Sequence, residues 1–155
     1  MRSPAPGRLL VYGICGYTGR LVGEEAVHRG LDLVAGRSRE QTSLAARVLG
    51  VESRTFALND PDVLDEAQRD VDVVAHCAGP YERTAELMVA ACLRTGTHYL
   101  DLAGEANVFE AIYRHDGEAH AAGVALVPGV GFDVVPTDHF VAVAESAPMG
   151  RFETP

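Results

Sequence analysis

A doubly wound parallel α/β sheet is the fold this sequence predicts, and three observations predict it. Short apolar runs alternate with amphipathic stretches along a chain of 155 residues, one domain's worth. A glycine-rich turn joins the first run to the first helical stretch, and small residues gather after nearly every later run. The runs are Leu9 to Tyr12, Leu31 to Ala35, Ser53 to Ala57, Val71 to Cys77, His98 to Leu102 and Val124 to Val127.

The first run leads into Gly13-Ile14-Cys15-Gly16-Tyr17-Thr18-Gly19. Glycines at the first, fourth and seventh places let the backbone turn off the strand, approach a pyrophosphate closely and pack the next helix on the sheet. That helix start then faces the anion with unbonded N–H groups and the positive end of its dipole. Glycine makes up 16 of the 155 residues, so the triplet alone says little. Its context says more, because a helix closing near Arg29-Gly30 and a second strand follow within a βαβ-sized span. The unit reads as a Rossmann-type NAD(P)-binding domain, with Gly13, Cys15, Gly16, Tyr17, Thr18 and Gly19 holding the cofactor.

The end of the second strand discriminates between cofactors. An NAD site places a carboxylate there for the ribose 2'-hydroxyl, whereas NADP needs a cation for the 2'-phosphate. Here Gly36, Arg37 and Ser38 occupy that end, with Arg39 close behind, while Asp32 stands at the wrong end of the strand. Arg37 and Ser38 therefore predict NADP, the planar guanidinium suiting phosphate. A plainer reading makes Arg37 a solvated loop cation and Ser38 a helix cap, with Gln41 completing a capping box. Both roles can hold together.

Later elements carry their own punctuation. Leu44, Ala45, Val48 and Leu49 form an apolar stripe closed by Gly50. Asp60-Pro61 reads as a cap and first turn before Val63, Leu64 and Ala67. Leu87, Met88, Ala91 and Cys92 form a stripe closed by Gly96, and Val108, Phe109, Ile112 and Ala119 another closed by Gly123. Right-handed crossovers place all strand ends on one edge, where ligands bind beside the reversal of strand order. Ala78, Gly79 and Pro80 follow the fourth strand there and are expected to reach the cofactor beyond its pyrophosphate, although a plain turn needs the same residues. Leu58, Asn59 and Asp60 share that edge, Asp60 reading first as a helix cap.

Composition narrows the function classes. The net charge of -9 disfavours a nucleic-acid partner, and no run approaches the roughly 20 apolar residues a membrane span needs. A cytoplasmic location and a small-molecule substrate are the expectation, with a homo-oligomer left open. All 13 basic residues are arginine, so this chain supplies neither a Schiff-base lysine nor the Tyr-x-x-x-Lys pair of short-chain dehydrogenases. Cys15, Cys77 and Cys92 lack zinc or redox spacing and read as reduced thiols. Cys77 and Cys92 are expected in the core. Cys15 is a small side chain that a tight loop tolerates, or a thiol activated beside a helix N-terminus. No metal site is expected.

With the glycine loop, Ala35-Gly36-Arg37, Ala78-Gly79-Pro80-Tyr81, the run from Gly96 to Glu105 and the run from Pro128 to Asp138 in order, the chain resembles the NADP-binding domain of saccharopine dehydrogenase-like proteins. That group includes the trans-acting enoyl reductases. The resemblance runs from about Leu9 to Phe140 and departs from the commonest loop at Ile14 and Cys15, where backbone rather than side chain holds phosphate. It implies an NADP-dependent oxidoreductase whose cofactor domain is residues 9–147, between short tails at 1–8 and 148–155. The family's second, substrate-choosing domain is expected to lie outside this chain. A non-catalytic NADP-binding sensor or scaffold is the alternative. No catalytic residue is assigned; Tyr99, Asp101, Glu105 and Asp133 lie at the presumed ligand edge, each open to a structural role.

Overall fold

A computed structural model describes residues 7–31, 33–137 and 139. Six parallel strands form one sheet: β1 (Leu9–Tyr12), β2 (Leu33–Gly36), β3 (Glu52–Thr55), β4 (Val73–His76), β5 (His98–Asp101) and β6 (Leu126–Val127). Their order is β3-β2-β1-β4-β5-β6, so the chain moves outward from β1 to β3 and then returns to β1's other side. The cleft between β1 and β4 is the point where strand order reverses. Tyr12 pairs in register with Ala35 and with His76, and His76 pairs with Asp101, which sets these strand ends level along one edge.

The connecting helices are α1 (Tyr17–His28), α2 (Arg39–Leu49), α3 (Pro61–Gln68), α4 (Tyr81–Thr95), α5 (Ala106–Tyr113) and α6 (Asp116–Ala122). Asp60 caps α3 by accepting the Val63 N–H at 3.3 Å, with Pro61 in the first turn as expected. The α2, α4 and α6 helices end on left-handed Gly50, Gly96 and Gly123, as their sequence punctuation predicts.

Alternate residues of each strand serve two cores. The larger lies under α3, α4 and α5, where Leu10, Val74 and Tyr99 meet Leu64, Met88, Val89 and Ile112. The smaller lies under α1 and α2, where Val11 and Val34 meet Ile14, Ala26 and Ala46. Each large apolar side chain buried in this way contributes roughly 1.5–3 kcal/mol.

Four readings of the sequence need correction. Half of the α2 stripe is misplaced: Ala45 and Leu49 pack against the smaller core, but Leu44 and Val48 are 56% and 77% exposed, and the buried positions are Thr42 and Ala46. Two adjacent apolar pairs fit either side of a helix, and the close approach of β2 favours the smaller residues. The stripe from Val108 to Ala119 belongs to two helices, because the His115 N–H bonds to Ile112 O and tightens the chain into a turn between α5 and α6. Arg8, assigned to a tail, is tied into the sheet by its backbone bonds to Asp72 and Val73 and by ion pairs to Glu52 and Asp70. Cys77 is only half-buried and lines the cleft described below, whereas Cys92 is buried as expected. Asp32, the domain end at 147, the tail 148–155 and the last motif positions Asp138 and Phe140 lie outside the described residues.

Candidate cofactor-binding site

The glycine loop leaves β1 through Gly13, whose φ of +98° is a left-handed conformation that side chains resist. The last glycine of the loop has a different task. A β-carbon on Gly19 would stand 2.1 Å from the Gly13 carbonyl oxygen, so its absence lets α1 seat on the end of β1. Gly16 caps α1 and is open on the protein side: a β-carbon there would meet only Gly13 O, at 3.4 Å.

Accounting for the loop's amides shows which can serve a ligand. Gly13 and Ile14 N–H both bond to Ala35 O, at 2.9 and 3.2 Å, and Gly16 N–H bonds to Gly13 O at 2.9 Å. Among the described residues, no protein acceptor takes the N–H groups of Cys15, Tyr17, Thr18 or Gly19. The glycines at 13 and 16 thus shape the loop, and their neighbours carry the open donors. The first turn of α1 contains no acidic residue, whereas α2, α3, α4 and α6 begin with Glu40, Asp62, Glu82 and Asp116. The positive end of the α1 dipole is left uncompensated by its own side chains, a setting that favours an anion.

A cleft of about 640 Å³ opens at this edge. Of the residues expected from the sequence, Gly13, Cys15, Gly16, Arg37, Ser38, Ala78 and Gly79 line it. Tyr17, Thr18, Gly19 and Pro80 do not line it; the first three form the first turn of α1 and Pro80 caps α4. Tyr12, Gly36, Gln41, Ala57, Leu58, Asn59, Cys77, Thr84 and Leu87 also line it. Thr84 fixes the turn after β4, its hydroxyl donating to Ala78 O at 2.9 Å. A more open hollow of about 710 Å³ between β3 and α3 is lined by Arg54, Asp62, Glu66 and Asp70, without a glycine turn.

Arg37 is exposed and, among the described residues, has no carboxylate partner. Tyr12 lies within its field: burial pushes the Tyr12 hydroxyl upward and the Arg37 charge opposes that shift. Ser38 caps α2 by accepting the Gln41 N–H at 3.5 Å, while the Gln41 side chain lines the cleft. Cap and cation are therefore neighbours in one turn. Burial pushes the Cys77 thiol up to about 11, with Asp101 adding to the shift, so the thiol stays protonated at neutral pH.

The ligand-edge candidates divide. Tyr99 is fully buried and donates to Asp101 Oδ2 at 2.7 Å. The buried Asp101 carboxylate also accepts the N–H groups of Ala103 at 3.0 Å and Gly129 at 2.8 Å, fastening the chain after β6 to β5. Glu105 accepts the Gly104 N–H at 2.9 Å, and Asp133 is exposed. His76, a residue the sequence reading passed over, is fully buried among the rings of Tyr12, Tyr81 and Tyr99, with neither ring nitrogen hydrogen-bonded. Burial alone lowers its pKa to about 4 and keeps it neutral. Among the described residues no group of three His, Cys, Asp or Glu side chains could hold a metal ion.

A family model described as the saccharopine dehydrogenase NADP binding domain matches residues 9–127, the span that contains every strand and the whole cleft. The chain belongs to this family. A saccharopine dehydrogenase-like oxidoreductase from Bos taurus is 32% identical over 154 residues, covering 86% of this chain and 36% of the relative. A trans-acting enoyl reductase from Mycobacterium leprae is 34% identical, covering 84% of this chain and 33% of the relative. This saccharopine dehydrogenase-family chain thus spans about a third of the length of such relatives. Two solved structures share the fold. Apo saccharopine dehydrogenase (L-Glu forming) from Saccharomyces cerevisiae superposes with a TM-score of 0.75 at 22% identity, over 90% of this chain and 30% of that one. A Citrobacter sp. triphenylmethane reductase complexed with NADP(H) superposes at 0.58 with 18% identity, over 77% of this chain and 48% of that one.

Proposed function

We propose that this chain binds NADP(H) as the cofactor-holding part of a saccharopine dehydrogenase-like or enoyl reductase-like oxidoreductase. One observation carries the reading: Cys15, with an open amide, and Arg37, which among the described residues has no carboxylate partner, both line the cleft, and the open amides of Tyr17, Thr18 and Gly19 follow in the first turn of α1. The amides suit a diphosphate, and the arginine suits the additional phosphate that distinguishes NADP from NAD. Ala78 and Gly79 continue the wall beyond the loop with small residues, which suits close approach of a long ligand. When bound, the cofactor supplies hydride chemistry, and the protein supplies position. The substrate class is a small molecule with a reducible carbon centre, such as an imine or a conjugated alkene. Family membership and the names of the relatives support that choice.

A second reading, a non-catalytic NADP-binding sensor or scaffold, is favoured by a specific feature. Tyr99 and Asp101 spend their polar atoms on each other and on backbone amides, which leaves neither poised to relay a proton. A cytoplasmic setting accompanies both readings, in keeping with three free thiols. Among the described residues no helix is long and apolar enough to cross a membrane.

Titrating the purified chain with NADPH and NADH while following cofactor fluorescence tests the binding claim. NADPH is expected to saturate the protein well below NADH. Absence of binding by both cofactors at about millimolar concentration overturns the proposal. NADPH oxidation in the presence of imines or enoyl compounds then separates the enzyme from the sensor.

A further inference from the structure

The least expected buried polar side chain near the cleft is Thr42, which is fully buried on α2 beside the smaller core. Its hydroxyl lies 3.6 Å from the Cys15 thiol, and its backbone N–H bonds to Ser38 O at 2.9 Å. A β-carbon on Gly36 would stand 2.6 Å from the Thr42 hydroxyl oxygen and 3.4 Å from Cys15 Sγ. Gly36 is not in a left-handed conformation, so space rather than backbone angle demands glycine there. Three segments therefore meet at one hydroxyl: the phosphate loop at Cys15, the end of β2 at Gly36 and the first turns of α2. Arg37 and Ser38 are the next residues along the chain.

We propose that Thr42 is a positioning residue for cofactor selection, its hydroxyl setting the spacing between the phosphate loop and the Gly36–Ser38 turn that presents Arg37. Thr42 does not line the cleft and so acts through its neighbours. The inference rests on the reading of Arg37 as the partner of the 2'-phosphate. The bond from a guanidinium to phosphate depends on direction as well as charge, so a small shift of the turn weakens NADPH binding and leaves NADH, which lacks that phosphate, untouched. Valine keeps the shape of threonine but places a methyl group, larger than oxygen, against Gly36 and Cys15. Such substitutions are not conservative in a close-packed site.

The test is a comparison of NADPH and NADH dissociation constants, by cofactor fluorescence, for the wild type, Thr42→Val, Thr42→Ser and Arg37→Ala. Thr42→Val is expected to weaken NADPH by about five-fold while NADH stays within about two-fold, and Thr42→Ser, which restores the hydroxyl, is expected to restore the ratio. Equal losses for both cofactors, no loss, or a serine variant that behaves like valine overturns the inference. Arg37→Ala separates this failure from failure of the underlying reading. If it leaves the cofactor ratio unchanged, the phosphate assignment itself falls; if it collapses the ratio while Thr42→Val does not, only the role of Thr42 falls. A double-mutant cycle keeps the claim testable should the valine variant fold poorly. Gly36→Ala alone is expected to lose NADPH preference, and Gly36→Ala combined with Thr42→Ala, in which a methyl fills the volume the hydroxyl left, to regain most of it. A double variant no better than Gly36→Ala contradicts the interlock.

Discussion

The glycine loop and the turn after β2 line one cleft but are built from different material. On the proposed reading the loop from Gly13 to Gly19 works through main-chain groups, the amides that no protein acceptor takes among the described residues. The turn from Gly36 to Gln41 works through side chains: a cation, a capping hydroxyl and an amide. A backbone device accepts any nucleotide with a diphosphate, whereas a side-chain device can tell one nucleotide from another. On that reading affinity and selectivity are separable here, and each can be broken alone.

The largest effects are expected in the loop, and they differ between its glycines. Gly19→Ala drives a β-carbon into the Gly13 carbonyl, so α1 must lift off β1. We expect roughly 2–4 kcal/mol of lost stability by urea unfolding, together with loss of both cofactors. Gly16→Val, whose β-carbon has room on the protein side, is expected to leave stability within about 1 kcal/mol while weakening NADPH and NADH alike by about 100-fold. If Gly16→Val binds normally, the loop is not the diphosphate cradle. Arg37→Ala is the matching break in the other region. It should weaken NADPH by about 30-fold, near 2 kcal/mol, and NADH by less than about two-fold.

The smallest effect at neutral pH is expected at His76, at the end of β4. Its pKa falls from 6.5 when unfolded to about 4 when folded, because burial disfavours the charged ring. The unfolded chain thus binds the proton first as pH drops, so stability that is complete above about 6.5 declines as pH falls toward about 4. His76→Phe keeps a ring among Tyr12, Tyr81 and Tyr99 and removes the titration. Urea midpoints measured from pH 7.5 to 4 should fall less steeply for this variant than for the wild type, and parallel curves would contradict the assignment.

Much of this was legible in the sequence because it rests on local pattern. The alternation of apolar runs and helices gave the parallel sheet, and the loop's position between strand and helix gave the cleft. What stayed hidden depends on contacts across the chain. That Gly13 and Gly16 spend their N–H groups on Ala35 and Gly13, leaving Cys15 and Tyr17 to Gly19 open, follows from how β2 lies beside the loop. Nothing in the sequence around Thr42 marks it, because its hydroxyl matters only with Gly36 packed against it. His76 stands in an apolar strand whose neighbours in sequence do not reveal that three tyrosine rings enclose it. Leu44 and Val48 misled because apolar spacing fixes a stripe, not whether anything covers it.

The direct test of the account is an amide-resolved NMR titration of the isotopically labelled chain with NADPH. The N–H signals of Cys15, Tyr17, Thr18 and Gly19 should shift together as one saturable event, while those of Gly13 and Gly16, already bonded within the protein, stay slow to exchange with water. If saturating cofactor leaves the first four signals unmoved, the main-chain cradle does not hold the diphosphate, and the separation of affinity from selectivity is lost with it.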